Sequence, residues 1–270
     1  MLIFDNKQSL KSHLKSILST NLTVGFVPTM GALHAGHLSL LQNSVANNKV
    51  TVISIFVNPT QFNNPEDLEK YPRDLETDIK KIKTVSRRII VFAPAIEDIY
   101  GSKTFQEDYE FDGLDQTMEG KHRPGHFKGV ATVVRLLFET VNPNNAYFGE
   151  KDFQQLMIIK KMVQKLNLPV KIHGCEILRE KNGLAMSSRN ERLTKQERQD
   201  ASEIYSALKE VKRMYNDHVS PMQKINDWII KKMESKEHFN LEYFEIAEES
   251  TLLKCNRKTR HKKIRAFIAV

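Results

Sequence analysis

Two histidines three residues apart, His34 and His37, end the segment Pro28-Thr29-Met30-Gly31-Ala32-Leu33-His34-Ala35-Gly36-His37. If a helix starts there, both imidazoles face one side of it. Gly31 and Gly36 allow close backbone approach to a ligand, and a helix N-terminus offers free N–H groups to phosphate. Imidazoles so placed donate hydrogen bonds to phosphate oxygens, whose charge grows during phosphoryl or nucleotidyl transfer. An isolated His-x-x-His is more often one buried and one surface histidine at a helix cap. The strand and glycine turn that precede this pair favour phosphate chemistry.

Three further loops carry polar groups that suit such a site. Gly149-Glu150-Lys151-Asp152 holds a cation able to neutralise phosphate, although Lys-Asp neighbours alone are commonly a surface ion pair. Met186-Ser187-Ser188-Arg189-Asn190 offers hydroxyls and a guanidinium to a triphosphate, or forms a plain helix cap. Gln61, in Asn58-Pro59-Thr60-Gln61-Phe62, is neutral and bidentate, which suits a hydroxyl or amide. His122 and His126 have the spacing of a helical metal pair, but Pro124 and Gly125 between them argue against metal ligation. Cys175 reads as a small buried hydrophobe, and with Cys255 it forms neither a C-x-x-C pair nor a disulfide framework.

The elements that position these loops follow from periodicity. Strands are predicted at Thr23–Val27, Val50–Val57, Arg88–Phe92, Ala146–Phe148 and Val170–His173. Helices are predicted near Leu38–Ala46, Leu75–Lys83, Val130–Thr140 and Phe153–Leu166. Apolar strands alternating with helices imply βαβ units and a mainly parallel α/β sheet. The four loops then collect at the carboxyl ends of the strands, where open sheets bind ligands. Beyond Arg179 the pattern changes to two amphipathic helices, Lys195–Tyr215 and Pro221–Met233, and two short strands, Leu241–Ile246 and Ile264–Val270. That part reads as a small C-terminal α+β domain.

Composition sets the outer limits. Of 270 residues, 40% are hydrophobic and 27% charged, which excludes a disordered or collagenous chain. The longest apolar stretch, Val50–Val57, is far below the roughly 20 residues of a membrane helix. Met1–Leu18 carries Asp5, Lys7, Lys11, His13 and Lys15 and so lacks a signal-peptide core, which points to the cytoplasm. The net charge of +8 sits almost wholly in Lys254, Arg257, Lys258, Arg260, Lys262, Lys263 and Arg265, without which it is +1. No aromatic is interleaved before Phe267, so this tract reads as a solvated turn entering a basic edge strand rather than a nucleic-acid surface.

His34-Ala35-Gly36-His37 resembles the H-x-G-H signature of the nucleotidylyltransferase and class I aminoacyl-tRNA synthetase superfamily. Met186–Asn190 is similar to its second signature loop, with Arg189 where a final lysine is often found. PTMGALHAGH from Pro28, FVNPTQF from Phe56, YPRDLETD from Tyr71, MEGKHRPGHFKGV from Met118, YFGEKDFQQL from Tyr147 and GLAMSSRN from Gly183 together resemble the pantoate–β-alanine ligase family. The likeness runs from about Val24 to Leu193 and weakens beyond.

The resemblance implies a Rossmann-like doubly wound sheet, with residues 1–178 binding ATP and pantoate and 179–270 closing over the site. It implies ligation through a pantoyl adenylate, with Mg²⁺ carried on the phosphates, by a homodimer acting on small molecules. Met30, Gly31, Ala32, Leu33, His34, Ala35, Gly36 and His37 would contact ATP. So would Gly149, Glu150, Lys151, Asp152, Leu178, Met186, Ser187, Ser188 and Arg189. Among these, His34, His37, Lys151, Ser187 and Arg189 are the expected catalytic set, with acid catalysis credited to His37. Gln61 and Gln155 match positions that hold pantoate, Gln61 also lying near β-alanine. Ala35 replaces an acidic residue found in many relatives. The chain ends at Ile268-Ala269-Val270, short of an Arg-Leu-Ile-Asp-Asn-like ending, so the final hairpin is expected to be incomplete. Two other readings compete: an H-x-G-H nucleotidylyltransferase with a different acceptor, and an RNA-binding module using the basic tract.

Overall fold

Six strands, β1 (Ile3–Phe4), β2 (Val24–Thr29), β3 (Val50–Ile55), β4 (Ile90–Phe92), β5 (Asn145–Gly149) and β6 (Lys171–Cys175), form a sheet in the order β1-β4-β3-β2-β5-β6. Every neighbouring pair is parallel. The structure is a computed structural model and describes residues 1–18, 22–217, 219–259 and 261–270. Among the described residues, ten helices connect and flank the strands: α1 (Lys7–Leu18), α2 (Ala35–Asn47), α3 (Pro65–Glu69), α4 (Leu75–Val85), α5 (Ile96–Tyr100), α6 (Met118–His122), α7 (His126–Val141), α8 (Phe153–Lys165), α9 (Lys195–Asn216) and α10 (Met222–Glu234). Short 3₁₀ turns lie at Pro59–Gln61, Glu150–Asp152 and Ser188–Arg192.

Strand side chains alternate between the two faces. Phe26, Val52, Phe92 and Ala146 join a core with Leu10 and Leu14 of α1, Val130 of α7 and Ile158 of α8. Their neighbours Val27, Ile53, Val91 and Tyr147 point the other way, onto Leu40 and Leu41 of α2 and Ile82 of α4. With both faces covered, the strands read as nearly unbroken apolar runs, as they do in sequence. From β2 the chain winds outward through β3 and β4, then returns to place β5 on the other side of β2. The switch point, and with it the crevice for a ligand, lies outside the carboxyl ends of β2 and β5.

The smaller part holds α9, α10 and an antiparallel pair, β7 (Tyr243–Glu248) and β8 (Ile264–Ala269). Phe244 and Ile246 join Val211, Met214, Ile225 and Ile229 in a separate core, whereas Tyr243 and Phe267 pack on the main one. The two-stranded sheet is thus apolar on both faces and joins the two cores. The two strands of the hairpin pair along their whole length. Ile264–Ala269 match the whole of β7 through six residue pairs, Tyr243↔Ala269 to Glu248↔Ile264.

Most expected elements are present, with ends moved by a few residues. β1, α1, α3, α5 and α6 have no counterpart among the expected elements; a two-residue strand and helices of five residues offer too little periodicity to detect. The basic tract is turn and strand entry, and several of its charges are paired: Lys258 donates to the Met214 carbonyl at 2.8 Å and Lys262 meets Glu248 at 2.5 Å. Arg260 lies outside the described residues.

Candidate active site

A cleft of about 1800 Å³ opens beyond β2 and β5, and a smaller hollow of about 540 Å³ adjoins it. The cleft wall includes Met30, His34, Gly36, His37, Gln61, Gly149, Glu150, Lys151, Asp152, Gln155, Leu178, Met186, Ser187, Ser188 and Arg189. All four polar loops therefore meet at one place. Ala35 lines the smaller hollow, together with His34, Met186 and Ser187. Gly31, Ala32 and Leu33 do not reach the wall, and the Leu33 side chain, 1% exposed, belongs to the core.

His34 is the N-cap of α2, and its Nδ1 accepts the Gly36 N–H at 3.1 Å. The His34 N–H in turn donates to Nδ1 of His37 at 3.3 Å. This is a capping box built from two imidazoles in place of Ser and Glu. A Cβ on Gly36 would stand 2.8 Å from His34 Cε1, so only glycine lets the ring fold back over the helix start. With each Nδ1 accepting, the proton of a neutral ring resides on Nε2. Burial, then Lys151 and Lys81, push the pKa of His34 down to about 4. Burial, then His34, push His37 down to about 3. Both rings are neutral near pH 7, each with one N–H donor.

The loop before them differs from the sequence expectation. Free backbone N–H groups were expected to receive phosphate, but those of Gly31, Ala32, Leu33, His34 and Gly36 all have protein partners. At the left-handed turn of Gly31 and Ala32 the Ala32 and Leu33 N–H groups meet Asp78, while those of Gly31, His34 and Gly36 meet Thr29, His37 and His34. The imidazoles and the nearby Lys151 are side-chain donors at the cleft wall.

Across the switch point, Lys151 lies in the 3₁₀ turn that leads into α8, with Nζ 3.0 Å from Asp152. Glu150 meets Arg265 of β8 at 3.0 Å, and that guanidinium also contacts Glu249 at 3.1 Å and lies 4.0 Å from the centre of the Phe153 ring. This is one polar fastening between the two parts of the chain beside the cleft.

Gln61 is held at both ends. Its Oε1 accepts from Asn58 Nδ2 at 3.1 Å, and its carbonyl lies 2.8 Å from His126 Nδ1 and 3.3 Å from Arg123 Nη2. Asn58, 1% exposed, also accepts from the Tyr100 hydroxyl at 2.6 Å. His126 is thus a structural partner of the Gln61 turn, and His122 pairs with Glu242 at 3.5 Å. Gln154 is buried against the Leu114 and Thr117 carbonyls, so it is the adjacent Gln155 that reaches the cleft.

The second signature loop follows a short hairpin at Arg179 and Ala185 that brings Leu178 against Met186, with the Met186 N–H on the Leu178 carbonyl at 3.0 Å. Ser187 caps the Ser188–Arg192 turn by accepting the Arg189 N–H at 3.3 Å. Ser188 donates to the Ala32 carbonyl at 2.9 Å and so ties the second loop to the first. Arg189 and Arg192 both bind Asp67, at 2.7 and 2.9 Å. Burial opposes ionisation of Asp67, but the two guanidiniums outweigh it and hold its carboxyl below the usual value. Asn58, Asp67, Asp78 and Lys81 are supports that sequence reasoning missed. The first lies in FVNPTQF and Asp78 in YPRDLETD, stretches that carried the resemblance but had no role assigned to these residues.

A parallel sheet with a polar cleft at its switch point defines an α/β enzyme of the Rossmann-like kind. The family model for pantoate-beta-alanine ligase matches residues 2–270, and the chain belongs to that family. It is similar to the pantothenate synthetase of Flavobacterium psychrophilum, 57% identical over 270 residues, covering 100% of this chain and 95% of the relative. The pantothenate synthetase of Christiangramia forsetii is 48% identical, covering 100% and 94%. Among solved structures, the pantothenate synthetase of Thermus thermophilus superposes with a TM-score of 0.89 at 36% identity, covering 100% of this chain and 95% of that one. A pantoate-beta-alanine ligase from Francisella tularensis, complexed with beta-gamma ATP and beta-alanine, gives 0.79 at 35% identity, covering 99% and 97%. The protein is an enzyme, and the reaction of its family joins pantoate to β-alanine.

Proposed function

We propose that this enzyme drives the ligation with ATP through a pantoyl adenylate. The pantoate carboxylate, ionised at pH 7 with a pKa near roughly 4, attacks the α-phosphorus without needing a base. Pyrophosphate leaves. The β-alanine amine then attacks the acyl carbon, and AMP departs with the adenylate's bridging oxygen. The chain's task in the first step is to position the reactants and to stabilise charge on the α-phosphate and the leaving group.

The observation that carries this reading is the imidazole pair of His34 and His37, each Nδ1 accepting a backbone N–H, in one cleft with Lys151. His34 and His37 donate to phosphate oxygens as charge develops; Lys151 and Arg189 neutralise them, and Ser187 adds a hydroxyl. A ring whose pKa is pushed down to about 3 is a hydrogen-bond donor rather than a protonated acid, which refines the role the resemblance gave His37. Met30, 34–37, Gly149–Asp152, Leu178 and 186–189 surround ATP, with Gly31, Ala32 and Leu33 behind them, while Gln61 and Gln155 hold pantoate, Gln61 also facing β-alanine. Mg²⁺, when bound, shields the triphosphate. Its ligands on this reading are phosphate oxygens and water.

On this reading residues 1–178 bind ATP and pantoate, and 179–270 close over them. The enzyme is a cytoplasmic homodimer acting on small molecules; the pairing of Lys258, Lys262 and Arg265 within the chain argues against a nucleic-acid surface. No helix among the described residues is long and apolar enough to cross a membrane. The test is product analysis with Mg-ATP and pantoate, with and without β-alanine. Pantothenate and AMP in equal amounts support the proposal; ADP and phosphate would refute it.

A further inference from the structure

Helix α4 runs behind the loop that leads to His34, and two of its charged side chains grip that loop from outside the cleft. Asp78, 2% exposed, accepts the Ala32 N–H through Oδ2 at 2.9 Å and the Leu33 N–H through Oδ1 at 2.7 Å. Almost one turn further on, Lys81 donates from Nζ to the Leu33 carbonyl at 2.6 Å. Bonds from an ionised group to backbone amides are about twice as strong as neutral ones, and two on one carboxylate fix direction as well as distance. The backbone they hold is not one the chain favours by itself. Gly31 has φ +80° and Ala32 φ +50°, consecutive left-handed residues of which only the first is glycine. Neither Asp78 nor Lys81 lines the cleft.

We infer that Asp78 and Lys81 are positioning residues for the imidazole pair, holding the Gly31–Leu33 peptides so that the His34 N–H stays on Nδ1 of His37. The link runs through single bonds. Asp78 and Lys81 fix the Leu33 peptide, and the next N–H along the chain is that of His34. That N–H meets His37 Nδ1 at 3.3 Å and sets its tautomer. If the loop relaxes, Nδ1 loses its donor, the ring is free to carry its proton there, and the Nε2–H is lost from the cleft. Lys81 adds a second effect, since its charge is one of those keeping His34 neutral.

The inference rests on the reading of these imidazoles as donors, so the test has one arm that needs no reaction. Asp78→Asn turns one acceptor into an N–H₂ that faces a backbone N–H and opens the clasp. In nitrogen-15 NMR of the ligand-free protein, the His37 ring is expected to pass from one Nε2–H tautomer to a mixture. In the assay, kcat is expected to fall by about 30-fold or more while ATP binding changes by less than about 3-fold, the pattern of a displaced catalytic group. Lys81→Met should act the same way to a smaller degree, and it decides the matter if Asp78→Asn does not fold. Unchanged His37 nitrogen signals in the folded variant overturn the inference, even if activity and melting temperature fall together. A wild-type protein that forms no AMP, with the tautomer still responding to Asp78→Asn, would overturn the reaction reading and leave the positioning intact.

Discussion

The His34 and His37 rings lie with centroids 4.0 Å apart and planes tilted by 32°, each Nδ1 occupied by a backbone N–H. The contact makes each ring part of the other's environment. A proton on one disfavours a proton on the other, so the pair stays neutral and offers two N–H donors instead of one cation.

Removing one such donor should therefore slow the chemistry more than it weakens binding. His37→Ala and Lys151→Ala are each expected to reduce adenylate formation by about 100-fold or more, the scale of one lost transition-state donor. Single-turnover measurement of AMP checks this. Near-normal adenylate formation in either variant would remove that residue from the mechanism.

The same neutrality has a cost in acid. The unfolded chain protonates these rings near 6.5, whereas the folded protein does so only at about 4 and about 3. Between those values the unfolded state binds more protons, so stability falls as pH drops below about 6.5 and gains nothing from these groups above it. Denaturant unfolding at about pH 7 and about pH 5, either side of the ordinary histidine value, should show a smaller loss in His37→Gln than in the wild type. Equal losses would mean that the ring is not held neutral.

Gln61→Ala should mainly raise the pantoate KM, by about 10-fold for one lost polar partner. Gly129→Ala tests the same turn from behind. A Cβ there would stand 2.4 Å from the Thr60 carbonyl oxygen, so α7 must back away from the Pro59–Gln61 turn. We expect a stability loss of about 1–3 kcal/mol from overpacking, with a raised pantoate KM. A variant as stable as wild type with unchanged KM would contradict this packing.

Arg265→Met removes the contacts to Glu150 and Glu249 while keeping apolar cover over Phe153. The pair is partly exposed, so the stability change should stay below about 1 kcal/mol. Its effect should appear instead in the ATP KM, because Glu150 belongs to the turn that carries Lys151. An unchanged ATP KM would confine Arg265 to a surface role.

The sheet was legible because β2, β3 and β5 are buried on both faces and read as apolar runs, each followed by a polar loop. His34, His37, Lys151 and Gln61 were legible because their types are unusual at strand ends. Asp78, Asp67 and Asn58 were not. An aspartate in the first turn of a helix carrying Glu76, Lys80, Lys81 and Lys83 looks like any solvated residue. Only the sheet's winding brings α4 behind the first loop and makes that carboxylate a buried clasp. The fate of the Ala32 and Leu33 N–H groups was hidden for the same reason, since their common partner lies 46 and 45 residues away in sequence.

The central claim, attack of the pantoate carboxylate on the α-phosphorus, is tested most directly with pantoate carrying heavy oxygen in its carboxyl group. Attack at the α-phosphorus passes one labelled oxygen to AMP and leaves the other in the amide carbonyl of pantothenate. Label in phosphate or pyrophosphate, with none in AMP, would contradict it.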